Sequence, residues 1–272
     1  MKSDIIYAEY ASFLKKTDQD SSVFLHFKRD KNFMEILEHV GESVGHVYED
    51  LSSTEFNVKT SNYQDIIDLN DSIGDPVTYN YGGKEMSPTN LRYIYHSILI
   101  KSKCDAWFTK KKIKIVEIGG GYGGLCLFIK KMFKDYEVDY TIVDLPEPGM
   151  LQKKYLSAVG QNDVKIVSCF DVDSLSNQKF DLVISNYCIS EISEENKNQY
   201  FEKIIINCDK KFFVWNFLTI ESGSIIWKNL KVKKVLALFG IYPEIKYVDR
   251  KDYIFEKERP QTGGINAFIY SK

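Results

Sequence analysis

The stretch "KIKIVEIGGGYGGLCLFIKK", Lys112 to Lys131, holds five glycines in six positions between a short apolar run and a helical pattern. Glycine costs backbone entropy wherever it stands, so the turn asks what must come so close to the chain. Leu125, Phe128, Ile129, Met132 and Phe133 follow the i, i+3, i+4, i+7, i+8 spacing of a helix with one apolar face. Lys130, Lys131 and Lys134 fall on the opposite, watered face. Residues 113–134 are thus predicted to run strand, glycine turn, helix.

From Ile113 onward apolar runs alternate with helical ones. The strand candidates are "KIVEI", "VDYTIVD", "VKIVS", "FDLVIS", "FFVWNF", "EIKYVD" and "NAFIYS". The first five have helix-like stretches between them, which points to βαβ units and a parallel sheet. The last two lack an intervening helix and suit an antiparallel hairpin at the sheet edge. The expected fold is α/β: a Rossmann-like, seven-stranded, mostly parallel sheet with the last strand antiparallel. Before residue 85, "YAEYASFLKK", "FMEILEHVGESVGHVYEDL" and "YQDIIDLNDSI" show helical spacing, followed by the irregular "GDPVTYNYGGKEMSPTN". Residues 1–85 are therefore read as a helical N-terminal cap and 86–272 as the sheet domain.

A chain of 272 residues with 44% hydrophobic and 27% charged residues is ordinary for a globular protein. Its formal net charge of -2 argues against a general polyanion binder, and lysine clusters such as Lys110–Lys112 read as solvated faces. The five cysteines are isolated and suggest neither a zinc site nor a disulfide framework. No apolar run approaches the roughly 18 residues of a membrane span, and no signal-peptide core follows Met1. A soluble, cytoplasmic protein is expected, without nucleic acid as partner; oligomeric state is left open.

In an open parallel sheet, ligands sit beyond the carboxyl ends of the strands. Gly119, Gly121 and Gly124 fit GxGxxG, a weak motif alone that a tight turn also satisfies. Glu117, two residues before Gly119, would repel a pyrophosphate but suits a ligand bearing an ammonium group. Asp144 ends "YTIVD", 25 residues after Gly119, where a carboxylate can accept hydrogen bonds from ribose hydroxyls. Together these features favour an adenosine ligand carrying an amine over a dinucleotide, with a dinucleotide oxidoreductase as the rival.

Through "VEIGGGYGG" and "TIVDLPE" the sequence resembles the class I S-adenosylmethionine-dependent methyltransferases. Through "IGDPVTYNYGGKEMSPTNLRYIYH" and "SNYCISEI" it resembles, more narrowly, the sugar O-methyltransferases of bacterial surface polysaccharides, over roughly residues 70–220. The resemblance implies S-adenosyl-L-methionine as cofactor, with S-adenosyl-L-homocysteine as product, and a hydroxyl of a sugar, nucleotide sugar or glycan as acceptor. It places Glu117, Gly119 and Gly121, with Tyr122 in the same turn, along the methionyl part. Asp144 would hold the ribose and Leu145 would lie beside the adenine. Phe170 and Asp171 would meet the adenine ring and its amino group, with Asp173 the alternate. Asn186 and Tyr187 would line the cofactor floor and the start of the acceptor site; packing is the other reading of Tyr187.

A sugar hydroxyl needs a base to take its proton during attack. Glu191, after the fourth strand, is the leading candidate, although it also suits the start of a helix capped by Ser193. Of four histidines only His96 has the position to reach the site; helix packing is its alternative role. Arg92 can grip a carboxylate of the cofactor or an anionic acceptor through its fork, or serve a structural ion pair. Ser87 and Pro88 suit the cap and first turn of its helix. Some related glycan methyltransferases hold magnesium with paired acids after the fourth and fifth strands. Here "WNFLTIES" offers no acid directly after the fifth strand, Glu221 lying several residues on, so no metal is expected. A non-sugar metabolite as acceptor, or a non-catalytic cofactor-binding module, are the alternatives.

Overall fold

The computed structural model describes residues 2–216, 253–258 and 266–272. In chain order come α1 (Lys2–Gln19), α2 (Ser21–Leu25), α3 (Lys31–Ile36), α4 (Glu42–Phe56), α5 (Gln64–Asp71), β1 (Tyr79–Tyr81), β2 (Lys84–Met86) and α6 (Pro88–Trp107). They are followed by β3 (Lys112–Ile118), α7 (Gly124–Met132), β4 (Glu137–Asp144), α8 (Pro146–Ala158), β5 (Lys165–Ser168) and β6 (Phe180–Asn186). The last are α9 (Cys188–Glu191), α10 (Glu194–Lys203), β7 (Cys208–Asn216), β8 (Tyr253–Lys257) and β9 (Asn266–Ser271). This is an α/β fold with N-terminal helices and mostly parallel strands, as the alternation of apolar runs implies. Two compact units divide it: residues 1–112 with 120–169, and 113–119 with 170–272. Among the described residues no helix is long and apolar enough to cross a membrane.

In the first unit β4 and β5 run parallel, with Asp144 opposite Ser168. The apolar face anticipated for α7 is buried: Leu125, Phe128, Ile129, Met132 and Phe133 all lie in the core. Helix α6 starts where its sequence says it should, with Ser87 as N-cap accepting the Thr89 N–H and Pro88 in the first turn. The "YNYGGKEM" segment folds into a hairpin, β1 against β2, turning through Gly82 and Gly83 at φ +59° and +86°. Two adjacent left-handed residues are what a two-residue hairpin turn demands. The helical pattern over residues 33–51 is interrupted: α3 ends at Ile36, Leu37 caps it, and α4 begins after an extended Gly41. Leu37–Gly41 forms a short non-helical strap.

Rings from before and after residue 85 share one core. Tyr122 meets Phe27 at 5.7 Å, Phe33 at 6.0 Å, Tyr93 at 6.1 Å and Tyr155 at 4.9 Å between centroids. Within this aromatic shell lies a buried polar hub on α5. Asn70 Oδ1 accepts from the Tyr155 hydroxyl at 2.6 Å, the Tyr122 hydroxyl at 3.2 Å and Lys28 Nζ at 3.2 Å. Lys28 Nζ also donates to the Asn70 carbonyl at 2.6 Å, and Asn70 Nδ2 donates to Asn90 Oδ1 at 2.6 Å. Burial pulls the Lys28 ammonium down to about 8, with Glu38 and Asp71 opposing.

In the second unit β3, β6 and β7 are parallel, with Glu117 opposite Ile184 and Asn186 opposite Val214. Strand β9 is antiparallel to β7 and to β8. The expected strand at residues 244–249 and the Glu221 position lie outside the described residues; the hairpin partner seen beside β9 is β8. Ser193 caps α10 by accepting the Asn196 N–H, and Tyr200, Phe201, Ile204 and Ile205 are buried as the spacing implies.

The hub sets a stability ranking. Asn70→Ala strands the Tyr122 and Tyr155 hydroxyls and the Asn90 Oδ1 acceptor, while Lys28 keeps the main-chain carbonyl. It should cost about 3–5 kcal/mol, whereas Tyr155→Phe removes one bond and should cost about 0.5–1.5 kcal/mol. Urea denaturation of both variants checks this. Equal costs would contradict a hub centred on Asn70.

Candidate functional site

The glycine turn is closely packed. Gly119, Gly121 and Gly123 have φ of +76°, +59° and +98°, a region open to glycine at little cost. A Cβ on Gly119 would collide with the Cys188 side chain, and one on Gly124 with the Tyr93 ring. On Gly121 it would come within 3.2 Å of Leu37 Cδ2, and on Gly123 within 3.1 Å of Leu156 Cγ. The expectation was that a ligand forbids side chains here. The protein's own side chains already forbid them, so the glycines alone do not argue for a ligand.

Asp144 governs the turn from the end of β4. Its Oδ1 accepts the Leu145 N–H at 2.9 Å and its Oδ2 accepts Gln152 Nε2 at 2.7 Å. The backbone amides of Gly120 and Gly121 also favour the charged form of this carboxylate. Gln152 Nε2 reaches the Gly121 carbonyl at 2.9 Å, so the turn is held through an acceptor. Gln152 comes from α8, is fully buried and was not among the sequence candidates. Its place eight residues after Asp144, on the next helix, is the only signal that pointed to it.

Burial pushes the Asp144 carboxyl up to about 6, against the pull of Leu145, Gln152, Gly120 and Gly121. An unfolded aspartate titrates near 3.9. Between about pH 4 and 6 the folded chain therefore holds a proton that the unfolded chain has lost. The stability due to this group is greatest below pH 4 and declines as pH rises through about 6. At neutral pH the charge of Asp144 works against folding.

The other candidates in this unit are placed as follows. Leu145 is half-buried and caps α8. The Tyr122 side chain is wholly enclosed in the aromatic core, so only its backbone can face a ligand. Arg92 is buried, and its Nη2 donates to the Leu37 carbonyl at 3.1 Å. His96 is enclosed by protein, edge-on to Tyr48 at 5.8 Å and beside Tyr95.

In the second unit Glu117 is buried on β3 and Asn186 is half-buried at the end of β6. Tyr187 follows at φ +67°, ψ −36°, a strained setting for an aromatic residue. Its N–H donates to the Val214 carbonyl at 2.8 Å, and its hydroxyl meets both Glu258 oxygens at 3.0 and 3.1 Å. Glu258 is fully buried just after β8; no local pattern in the sequence marked it. Glu191 ends α9 with an exposed side chain whose Oε1 accepts Asn216 Nδ2 at 2.8 Å. The protein around it raises its carboxyl above the usual range, an effect that solvent contact limits. Phe170 is 77% exposed, unusual for a phenylalanine, and Asp171 beside it is exposed too. Asp173 is paired with Lys203.

No family model and no curated protein sequence matches the chain. Among solved structures it is similar to a candidate class I S-adenosylmethionine-dependent methyltransferase from Listeria monocytogenes, with a TM-score of 0.50 and 14% identity over 97% of this chain and 88% of that one. It is also similar to an O-methyltransferase from Bacillus cereus in complex with SAH, with a TM-score of 0.49 and 13% identity over 85% of this chain and 99% of that one. A third is a cyclopropane-fatty-acyl-phospholipid synthase-like protein from Lactobacillus casei, with a TM-score of 0.39 and 18% identity. There the match covers 57% of this chain and spans 58% of that protein's length. The Listeria likeness, nearly full-length, establishes a Rossmann-like fold.

The turn's packing is testable by paired substitutions. Gly119→Ala should cost about 2–4 kcal/mol through strain and collision with Cys188. Gly83→Ala, also at positive φ but with open space around it, should cost about 1 kcal/mol. Chemical denaturation measures both, and equal losses would refute the collision.

Proposed function

We propose that the protein is an S-adenosylmethionine-dependent O-methyltransferase acting on a hydroxyl of a sugar or glycan precursor. The observation that carries the reading is Asp144: a half-buried carboxylate, ionised at a cost to the fold, and linked through Gln152 to the backbone of a left-handed glycine turn. A group kept charged against its own stability suggests a ligand that uses the charge. The fold, and the identification of "VEIGGGYGG" with the turn after β3, support the same conclusion. The sugar class of acceptor rests on the sequence resemblance over residues 70–220. In functional terms we retain residues 1–85 as the cap and 86–272 as the methyltransferase domain.

When bound, S-adenosylmethionine supplies an electrophilic methyl group on a sulfonium. In this reading Asp144 accepts hydrogen bonds from the ribose hydroxyls, and Leu145 lies beside the adenine. Phe170, exposed as it is, offers a face for the adenine, with Asp171 for its amino group. Glu117 favours the positive charge of the donor, and the backbone of Gly119, Gly121 and Tyr122 runs along the methionyl part. Asn186 and Tyr187 border the acceptor. Glu191 would take the acceptor's proton during methyl transfer. The enclosed ring of His96 suits packing better than proton transfer.

Calorimetry with S-adenosylhomocysteine tests the proposal: binding tighter than that of NAD is expected, and binding of NAD alone would favour the oxidoreductase. The affinity should also weaken as pH falls through about 6, because the ionised Asp144 fraction drops about tenfold per pH unit below its pKa. Asp144→Asn should abolish that dependence; an unchanged pH profile would remove Asp144 from the ribose. With an acceptor found in a nucleotide-sugar panel, Glu191→Gln should lower turnover by about 10²-fold and leave cofactor affinity intact. Normal turnover would rule Glu191 out as the base.

A further inference from the structure

Tyr187 is held in a conformation that tyrosine does not choose by itself. It directly follows β6 at φ +67° and ψ −36°, a setting that costs about 1–3 kcal/mol and lasts only where its surroundings enforce it. Its backbone is held on both sides. The N–H donates to the Val214 carbonyl at 2.8 Å, and the carbonyl accepts the Ser190 N–H at 3.1 Å as well as the Ser190 hydroxyl. At the far end of the side chain the hydroxyl donates to Glu258, 3.0 and 3.1 Å from its two oxygens.

Glu258 is a costly residue to keep there. It has no solvent exposure, and an apolar pair would fill the same space without burying an ionisable group. The topology says where it lies. Strand β9 is antiparallel to both β7 and β8, so β8 runs parallel to β7 and ends at the edge where β6 and β7 end. Ligands of open parallel sheets sit at that edge. The Glu258 N–H donates to the Asn266 carbonyl at 3.0 Å, and Asn266 pairs with Asn216 at the end of β7. The Asn216 N–H donates to the Ser190 hydroxyl oxygen at 2.9 Å, and its Nδ2 to Glu191 Oε1 at 2.8 Å. One chain of hydrogen bonds thus runs from Glu258 through Tyr187, Ser190 and Asn216 to Glu191.

We propose that Glu258 is a positioning residue for methyl transfer: by holding the Tyr187 hydroxyl it keeps the turn after β6 in its strained form, and so keeps Glu191 in place. The inference rests on the methyltransferase reading, with Glu191 as its base, and adds to it a residue from beyond β8. Without the carboxylate the ring loses its anchor and Tyr187 relaxes to negative φ. That change swings its carbonyl away from Ser190 and loosens the link through Asn216 to Glu191. Catalysis depends steeply on such placement, a shift of about 1 Å costing about 10²-fold.

The test measures turnover, S-adenosylhomocysteine affinity and melting temperature on the full chain, with an acceptor found in the nucleotide-sugar panel. Glu258→Ala should lower kcat by about 10²-fold and leave S-adenosylhomocysteine affinity within about twofold. Glu258→Gln keeps an oxygen that can accept the Tyr187 hydroxyl, so its kcat should return to within about threefold of wild type. Tyr187→Phe cuts the same link from the other end, and the double variant with Glu258→Ala should be no slower than either single one. Should Glu258→Ala fail to fold, normal turnover in Tyr187→Phe overturns the role just as well. Normal kcat in Glu258→Ala, a glutamine variant as slow as the alanine one, or losses that multiply in the double variant overturn the positioning role and leave the methyltransferase reading standing. Wild-type protein that transfers no methyl group to any member of the panel overturns both the sugar reading and this role.

Discussion

The carboxylate of Asp144, bonded to the Leu145 N–H and to Gln152, which in turn holds the Gly121 carbonyl, is the constraint on which the candidate site depends. A turn of five glycines has little intrinsic reason to hold one shape, because each glycine loses more freedom on ordering than any other residue. Here the order is imposed from outside. Asp144 and Gln152 fix the turn's polar groups, and Leu37, Leu156, Tyr93 and Cys188 fill the space beside its α-carbons. The result is a rigid stretch of bare backbone next to a charge that the fold holds at a loss. Such preorganisation is what a binding site needs in advance of its ligand.

The aromatic wealth of the chain serves the same end. Tyr122, Tyr155, Tyr93, Phe27 and Phe33 meet edge to face around Asn70, so the residue in the middle of the turn is anchored by its ring and its hydroxyl. Edge-on aromatic pairs add to simple burial. The helices before residue 85 are thereby tied to the glycine turn rather than appended to it.

Much of this was legible in the sequence, for local reasons. The strand, turn and helix over residues 113–134 carry strong apolar periodicity and a run of glycines. Ser87, Pro88 and Ser193 announce helix starts because capping is settled within four residues. What the sequence hid depends on tertiary placement. Tyr122 sits inside the motif and reads as a ligand neighbour, yet its ring turns inward to partners from distant helices. Glu258 meets Tyr187 from 71 residues away, and Glu38 meets Thr89 from 51; no spacing rule connects them. Strand β8 has an apolar run of only Tyr253, Ile254 and Phe255 before Glu256 and Lys257, too short to mark a strand by itself. The reason for the glycines was inferred from chemistry, whereas packing supplies it.

The central claim is that an adenosine-bearing methyl donor lies along the glycine turn with its ribose on Asp144. A crystal structure of the protein grown with excess S-adenosylhomocysteine tests it most directly. The account predicts density for the nucleoside against Gly119–Gly121, with both ribose hydroxyls within hydrogen-bond reach of the Asp144 carboxylate. A well-ordered turn with no ligand beside it at saturating concentration, or a ligand bound elsewhere, would contradict it.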